Sequence, residues 1–337
     1  MDKEYPLLTK LVTGNNLSAV EANQLVTLFF VKNKQQFTSS ALLLLRKKGE
    51  HLNELVSLVQ YLRNHLLQVK VTAPHLVDFC GTGGDQKDTF NISTLSAIVA
   101  AGAGANVVKH GNRSVSSQCG SSDILLSLGY NLNIKPSKAS KILKETNFTY
   151  LHAPLFHPVF AQVQPIRLAL KTKTIFNFLG PLLNPAKVPN QIIGVSEPSL
   201  LNLYPQILKQ IKSKHAWVFI DDAGYDEISL TGSVQAIQIR NGIIKKHKLT
   251  ASSFGLKKIR SSSLVTKSKK ENLQVANAIL SGKEKGAKKD VVIANSALGL
   301  FASGRASSLK EGVALARFSL ETGRALQTLK QSIKLSR

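Results

Sequence analysis

The chain predicts an α/β fold with a mainly parallel central sheet behind an all-helical start, and three observations carry that expectation. Up to about residue 70 the apolar residues recur only at helical spacing. From Leu76 onward short apolar runs alternate with helical stretches, the pattern of a parallel sheet covered on both faces. Two loops rich in Gly, Ser and Thr, at 81–85 and 109–117, each follow one of those apolar runs directly.

Taken in order, Ser18-Ala19-Val20-Glu21 is a capping box that opens a helix, with Leu25, Leu28 and Phe29 at helical spacing behind it. The segment 38–48 closes on Arg46-Lys47-Lys48 and then Gly49, cations in a last turn followed by a stop. Leu52, Leu55, Val59, Leu62 and Leu66 mark a third amphipathic helix. Candidate strands are 76–80, 106–108, 148–151, 191–195, 216–220 and 234–239. Helices at 93–103, 137–145, 199–212, 272–280 and 290–302 fill most of the gaps, and Ser308-Leu309-Lys310-Glu311 opens a last one. The polar, Ser-rich and basic stretch 257–270 is the expected flexible segment.

A length of 337 residues accommodates one large domain plus a smaller one. The 43% hydrophobic content and the lack of a bilayer-length apolar run predict a soluble globular protein with no membrane partner. The start MDKEYPLLTK has neither the basic opening nor the apolar core of a signal peptide. Cys80 and Cys119 fit neither a metal-ligand spacing nor a disulfide framework, which points to the cytoplasm. The eight histidines form no zinc-ligand pattern. The formal charge is +24, and residues 240–289 hold 14 Lys and Arg against two Glu, a net of +12. Such a region attracts polyanions without specificity, or is simply a solvated surface. With Phe254 its only aromatic, it does not look like a single-strand binder.

Gly81-Thr82-Gly83-Gly84-Asp85 lets backbone amides approach an anion, or else makes a tight strand-to-helix turn. It is neither the dinucleotide fingerprint nor the ATP-binding P-loop. Asn91-Ile92-Ser93-Thr94 opens the next helix, either as an ordinary cap or as a phosphate site at the positive helix end. Lys109-His110-Gly111-Asn112-Arg113-Ser114-Val115-Ser116-Ser117 gathers two cations, an amide and three hydroxyls directly after a strand, and Lys109 can neutralise a phosphate as a point charge. Gly120-Ser121 starts another helix with a further anion-friendly end. Asp221, Asp222, Asp226 and Glu227 place four of the 20 carboxylates in seven residues, which suits Mg²⁺ or an acidic structural turn. Arg167 is the guanidinium of an otherwise apolar stretch and can grip a carboxylate with two bonds, or lie on a helix surface.

Together GTGGD, NIST, KHGNRSVSS, the PIR…TIFNFLGPLLNP segment, the Asp226-Glu227 pair and KEGVALARFSLETGRAL resemble the anthranilate phosphoribosyltransferase family, in order and over essentially the whole chain. The resemblance implies a nucleoside phosphorylase/phosphoribosyltransferase-like fold. A small helical domain would comprise 1–72 and a returning segment near 160–185, with a large α/β domain at 73–337. It also implies a homodimer that couples anthranilate with 5-phosphoribosyl 1-pyrophosphate (PRPP) in tryptophan biosynthesis. Carried over motif by motif, Gly81, Gly84, Asp85, Thr89, Asn91, Ile92, Ser93 and Thr94 would surround PRPP from the first loop and helix. Lys109, His110, Gly111, Asn112, Arg113, Ser114, Val115, Ser116, Ser117 and Ser121 would do so from the second. Ser93, Asp226 and Glu227 would hold magnesium, as two ions. Gly81, His110, Asn112, Arg167 and Pro181 would receive anthranilate, and no residue is assigned as general acid or base.

The chain departs from the family pattern at Gln86-Lys87, where Gly and a small residue are usual. Further departures are Lys171 for Gly, Lys173 for Arg and Tyr225 for an apolar residue. Two rival expectations are a pyrimidine nucleoside phosphorylase-like enzyme, which has less use for the carboxylates near Asp226, and a non-catalytic nucleic-acid-binding relative, which the charge favours and the intact loops do not.

Overall fold

Val77, Phe79, Val107, Val108, Ile193 and Val218 are fully buried, and such near-continuous apolar runs belong to strands covered on both faces. The computed structural model describes residues 4–113 and 119–337. It divides into two units, Met1–Leu67 with Pro154–Pro185, and Gln68–Ala153 with Ala186–Arg337.

The first unit is helical. Ser18 caps the helix Ala19–Phe29 by accepting from the Glu21 amide, and the Glu21 carboxylate takes the Ser18 amide in return. Gly49, at φ 89°, ends Gln35–Lys48. Glu54, in the first turn of Leu52–Asn64, is buried yet satisfied, accepting from the amides of Leu17 and His51 and from Lys48 Nζ. The ring of Phe176 lies 5.7–6.4 Å from those of Phe29, Phe30 and Phe160, a compact apolar centre. A helix at Glu4–Val12, for which the apolar spacing is too short to be diagnostic, precedes them.

The second unit holds a seven-stranded sheet in the order β3-β2-β1-β4-β5-β6-β7. Five strands are parallel: β1 (Leu76–Gly81), β2 (Asn106–Gly111), β3 (Phe148–His152), β4 (Asn190–Gly194) and β5 (His215–Asp221). Two antiparallel strands, β6 (Val234–Arg240) and β7 (Ile243–Leu249), finish one edge. The central helices Ile92–Gly102 and Ala287–Ala302 are stitched by Ser96 Oγ donating to Val292 O and Ser296 Oγ to Ser96 O.

Four features differ from the sequence-based expectation. Strand β2 continues through Lys109, His110 and Gly111, because these pair in register with Tyr150, Leu151 and His152 of β3. The three residues therefore lie on a strand and not on a loop. Strand β7 was not expected, since its Lys-rich residues are mostly exposed. Its signal was the Asn241-Gly242 pair, both at positive φ, which makes a tight hairpin turn. The helix opened by Ser308 is not the last; Arg324–Ser336 follows it after Gly323. Finally, 257–270 is not a free segment. Leu264 is fully buried, Val265 bridges to Thr89, and the Thr266 amide donates to Asp88 O at 2.9 Å.

Candidate active site

The first loop is built on close backbone approach. At the carboxyl end of β1 the Thr82 amide donates to Gly194 O. Ser196 then pins the turn, its amide donating to Thr82 Oγ1 at 3.0 Å and its hydroxyl to Gly83 O at 2.8 Å. The Gly83 amide donates to Asp226 Oδ2 at 2.8 Å, which joins the loop to the acidic turn. Glycine is required where those two meet. A Cβ on Gly81 would lie 2.6 Å from Asp226 Oδ2, and one on Gly194 would lie 1.5 Å from the Asp226 carbonyl oxygen.

The helix Ile92–Gly102 points its positive end at the same place. Asn91 does not cap it with a side-chain bond. Its Nδ2 instead donates to Cys119 O at 3.0 Å, while Asn91 Oδ1 and Thr94 Oγ1 are buried without hydrogen-bond partners. The Ser93 amide donates to Glu227 Oε1 at 3.2 Å. Lys109 is 1% exposed, and its ammonium donates to Phe79 O and, at 3.4 Å, to Ser93 Oγ. A buried cation thus sits beside a helix amino end, an arrangement suited to a phosphate.

The four clustered carboxylates separate into two roles. Asp221 is buried and accepts from the Ser229 hydroxyl at 2.6 Å and the Ala223 amide at 2.8 Å, while Asp222 accepts from Gln235. These two shape the turn. Asp226 and Glu227 face the loop and helix, and Thr89 Oγ1 donates to Glu227 Oε2 at 3.5 Å. Asn295 locks their position by accepting from the Ile228 amide and donating to its carbonyl.

Burial, reinforced by the neighbouring charge of Asp85, pushes the Asp226 carboxyl up to about 7. Glu227 is raised well above the usual carboxylate range by burial first, then by Asp226 and Asp85. Burial also raises Asp85, whose Oδ2 is buried without a hydrogen bond. Three crowded carboxyls with one orphaned oxygen fit a divalent cation. Among the described residues no three His, Cys, Asp or Glu side chains form a ready-made metal cage. Mg²⁺ needs none, since it takes one or two carboxylates and completes its octahedron with water and substrate phosphate.

Residues 73–326 match the glycosyl transferase family, a/b domain. The anthranilate phosphoribosyltransferase of Pseudoalteromonas translucida is 40% identical over 98% of this chain and 93% of its own length. That of Prosthecochloris aestuarii is 37% identical over 99% and 97%. The chain belongs to the anthranilate phosphoribosyltransferase family. The fold agrees. The family's crystal structure from Thermus thermophilus matches with a TM-score of 0.90 at 34% identity, over 98% of this chain and 99% of that one. The Saccharomyces cerevisiae enzyme in complex with PRPP and Mg matches with a TM-score of 0.90 at 28% identity, over 99% and 97%.

Of the residues that the family motifs single out, Gly81, Asp85, Thr89, Ser93, Lys109, Asp226 and Glu227 come together around the loop, helix end and acidic turn described above. Gly84, at φ 79°, lies in the same turn, and Ile92 is buried at the helix start. His110 is buried, its amide donating to Asp78 Oδ1, and Gly111 ends β2 beside the Tyr150 hydroxyl. Asn112 accepts from the Arg113 amide at 2.8 Å through its side chain. Ser121 opens Ser121–Ser127, whose Gly120 amide is already taken by Asp123 at 2.9 Å, so that helix end carries its own anion. Ser114, Val115, Ser116 and Ser117 lie outside the described residues.

Arg167 and Pro181 belong to the helical unit. There the Arg167 guanidinium stands 5.6 Å from the centre of the Phe176 ring, and its Nε is buried without a hydrogen-bond partner. Sequence reasoning missed Gly194, Ser196, Asn272 and Asn295, which hold the site together without a motif of their own. Gly194 and Ser196 had one usable signal, a Gly and a Ser at the carboxyl end of a predicted parallel strand, where such sheets bind ligands.

Proposed function

We propose that this chain transfers the phosphoribosyl group of PRPP to the amine of anthranilate, releasing pyrophosphate and N-(5-phosphoribosyl)anthranilate, as a step of tryptophan biosynthesis. The observation that carries this reading is the meeting of the 81–85 turn, the Ile92–Gly102 amino end, buried Lys109 and the Asp226-Glu227 pair. Family membership supports the same reaction.

In this proposal the amides of the first turn, with Lys109 and the helix amino end, cradle the diphosphate ester. Asn91 Oδ1 and Thr94 Oγ1 are available for its polar groups. Ser93, Asp226 and Glu227 would hold magnesium, as two ions, beside the buried carboxyl of Asp85. Bound Mg²⁺ would supply the positive charge that lets pyrophosphate depart. The ribosyl carbon then carries oxocarbenium character, and the neutral aromatic amine attacks without a strong general base. Most of the acceleration would come from positioning and charge stabilisation. Arg167 binds the anthranilate carboxylate, with Gly81, His110, Asn112 and Pro181 along its path. The two compact units correspond, in this reading, to the helical and α/β domains of a cytoplasmic homodimer. No helix among the described residues is long and apolar enough to cross a membrane.

The test is direct: purified chain, anthranilate, PRPP and Mg²⁺, followed by the decay of anthranilate fluorescence. Decay that requires all three additions supports the assignment. No decay with any of them, at saturating substrate, refutes it.

A further inference from the structure

Part of the positive charge lies close to the backbone that leads into the Ile92–Gly102 helix. The basic stretch 257–270 is anchored to the first phosphate loop by Val265 bridging Thr89 and by the Thr266 amide donating to Asp88 O at 2.9 Å. It is braced from behind by Lys288 Nζ, which donates to Ser263 O at 2.7 Å. The helix that follows, Lys269–Leu280, is capped by Ser268, and Asn272 within it accepts from the Asn91 amide at 3.2 Å. Contacts on either side of Lys267–Lys270 therefore reach the backbone that leads into the Ile92–Gly102 helix.

Lys267, Lys269 and Lys270 project from that anchored segment and are exposed. None of the three is in an ion pair among the described residues. With neighbouring Cα atoms about 3.8 Å apart, the Lys267 and Lys269 backbones lie within roughly 10 Å of the 88–91 backbone, about one Debye length at 0.1 M salt. On the other side, burial pushes the Cys119 thiol up to about 11 and Lys269 partly offsets it, so this cation is also felt where the second loop ends. A surface cation held at such a distance acts on a polyanion entering the site, not only on bulk solvent.

We propose that Lys267, Lys269 and Lys270 form a cationic rim that captures the polyphosphate substrate and delivers it to the 81–85 turn and the Ile92–Gly102 amino end. The inference rests on the proposed PRPP reaction and adds a capture step that the motif residues do not supply. The rim works by charge at its location and not through a fixed hydrogen bond, so Arg in place of Lys preserves it and Glu abolishes it.

Steady-state kinetics tests this with the triple variant Lys267→Glu, Lys269→Glu, Lys270→Glu. A matched reversal of Lys245, Lys246 and Lys248 on β7 serves as control, since β4, β5 and β6 separate β7 from β1. The rim variant should lose about tenfold in kcat/KM for PRPP at low ionic strength, with kcat kept within about twofold and KM for anthranilate unchanged. The unaltered chain should lose a similar factor between roughly 25 and 400 mM KCl, and the rim variant much less. The Arg triple should match the unaltered chain. An equal loss in the β7 control would overturn the local rim in favour of a general field, as would turnover that is insensitive to salt and to the rim reversal. A fall in kcat alone would make the segment structural. Absence of turnover in the unaltered chain would refute the reaction itself, an outcome distinct from all of these.

Discussion

The ammonium of Lys87 stands 5.4 Å from the centre of the Tyr225 ring, so a cation just after the 81–85 turn rests on an aromatic face of the acidic turn. The pair bridges two segments that the Gly83–Asp226 hydrogen bond also joins. On either side of Lys87, Gln86 (φ 56°) and Asp88 (φ 49°) take left-handed backbone conformations that non-glycine residues rarely adopt. The loop is strained there, and a contact that holds it compensates. Lys87→Ala and Tyr225→Leu are each expected to raise KM for PRPP about three- to fivefold, consistent with ~0.5–1 kcal/mol for such a contact. The double variant should be no worse than either single one, and Lys87→Arg should be close to the unaltered chain. Additive losses would dissolve the pairing.

Asp226→Asn removes the charge while keeping an oxygen for the Gly83 amide. Turnover is expected to fall by about 10²–10³, with a higher magnesium concentration needed for half-maximal rate. Magnesium titrations of both proteins check this, and an unchanged requirement would remove Asp226 from the metal site.

Arg167→Ala should weaken anthranilate binding with little effect on PRPP. The loss of a charge-assisted pair, ~1.5–3 kcal/mol, corresponds to a KM for anthranilate raised about 10- to 100-fold. Varying each substrate separately distinguishes the cases, and a loss confined to PRPP would overturn the assignment.

Gly194→Ala introduces a Cβ 1.5 Å from the Asp226 carbonyl oxygen, backbone against backbone with no flexible side chain to yield. A cost of about 3 kcal/mol or more is expected, visible as a lowered unfolding midpoint together with lost activity. A variant of full stability would show that the acidic turn tolerates displacement.

The carboxyl of Asp226 is pushed up to about 7 from an ordinary 3.8. Between those values the folded chain keeps a proton that the unfolded chain has released, so metal-free stability falls as pH rises through that window. Magnesium binding must expel the proton, and its stabilising effect should therefore grow over the same range. Thermal unfolding from pH 4 to 8, with Mg²⁺ or with a chelator, measures both slopes. Asp226→Asn should reduce both slopes, the raised carboxyls of Glu227 and Asp85 supplying what remains.

Much of this was legible in the residues alone. The Ser18–Glu21 capping box, the Gly49 stop, the parallel strands and the 81–85 turn all follow from rules that act within a few residues: caps, periodicity and the backbone freedom of glycine. Where such rules were followed too locally they misled. The polar composition of 257–270 suggested a free segment, but buried Leu264 and the Thr266–Asp88 bond anchor it. The Lys-rich β7 lacked an apolar face, and only its Asn241-Gly242 turn announced it.

By itself, then, the sequence determined the family, the fold class and the chemical character of the loops, because these reside in contiguous motifs. Only the tertiary structure sorted the four acidic residues into two that shape a turn and two that face the site, and set buried Lys109 against Ser93. It also revealed Gly194 and Asn295 as supports. The reason is separation along the chain: Gly83 and Asp226 are 143 residues apart and Ser93 and Glu227 are 134 apart. No local pattern encodes a contact over such a distance, whereas a parallel sheet brings the ends of its strands to one edge.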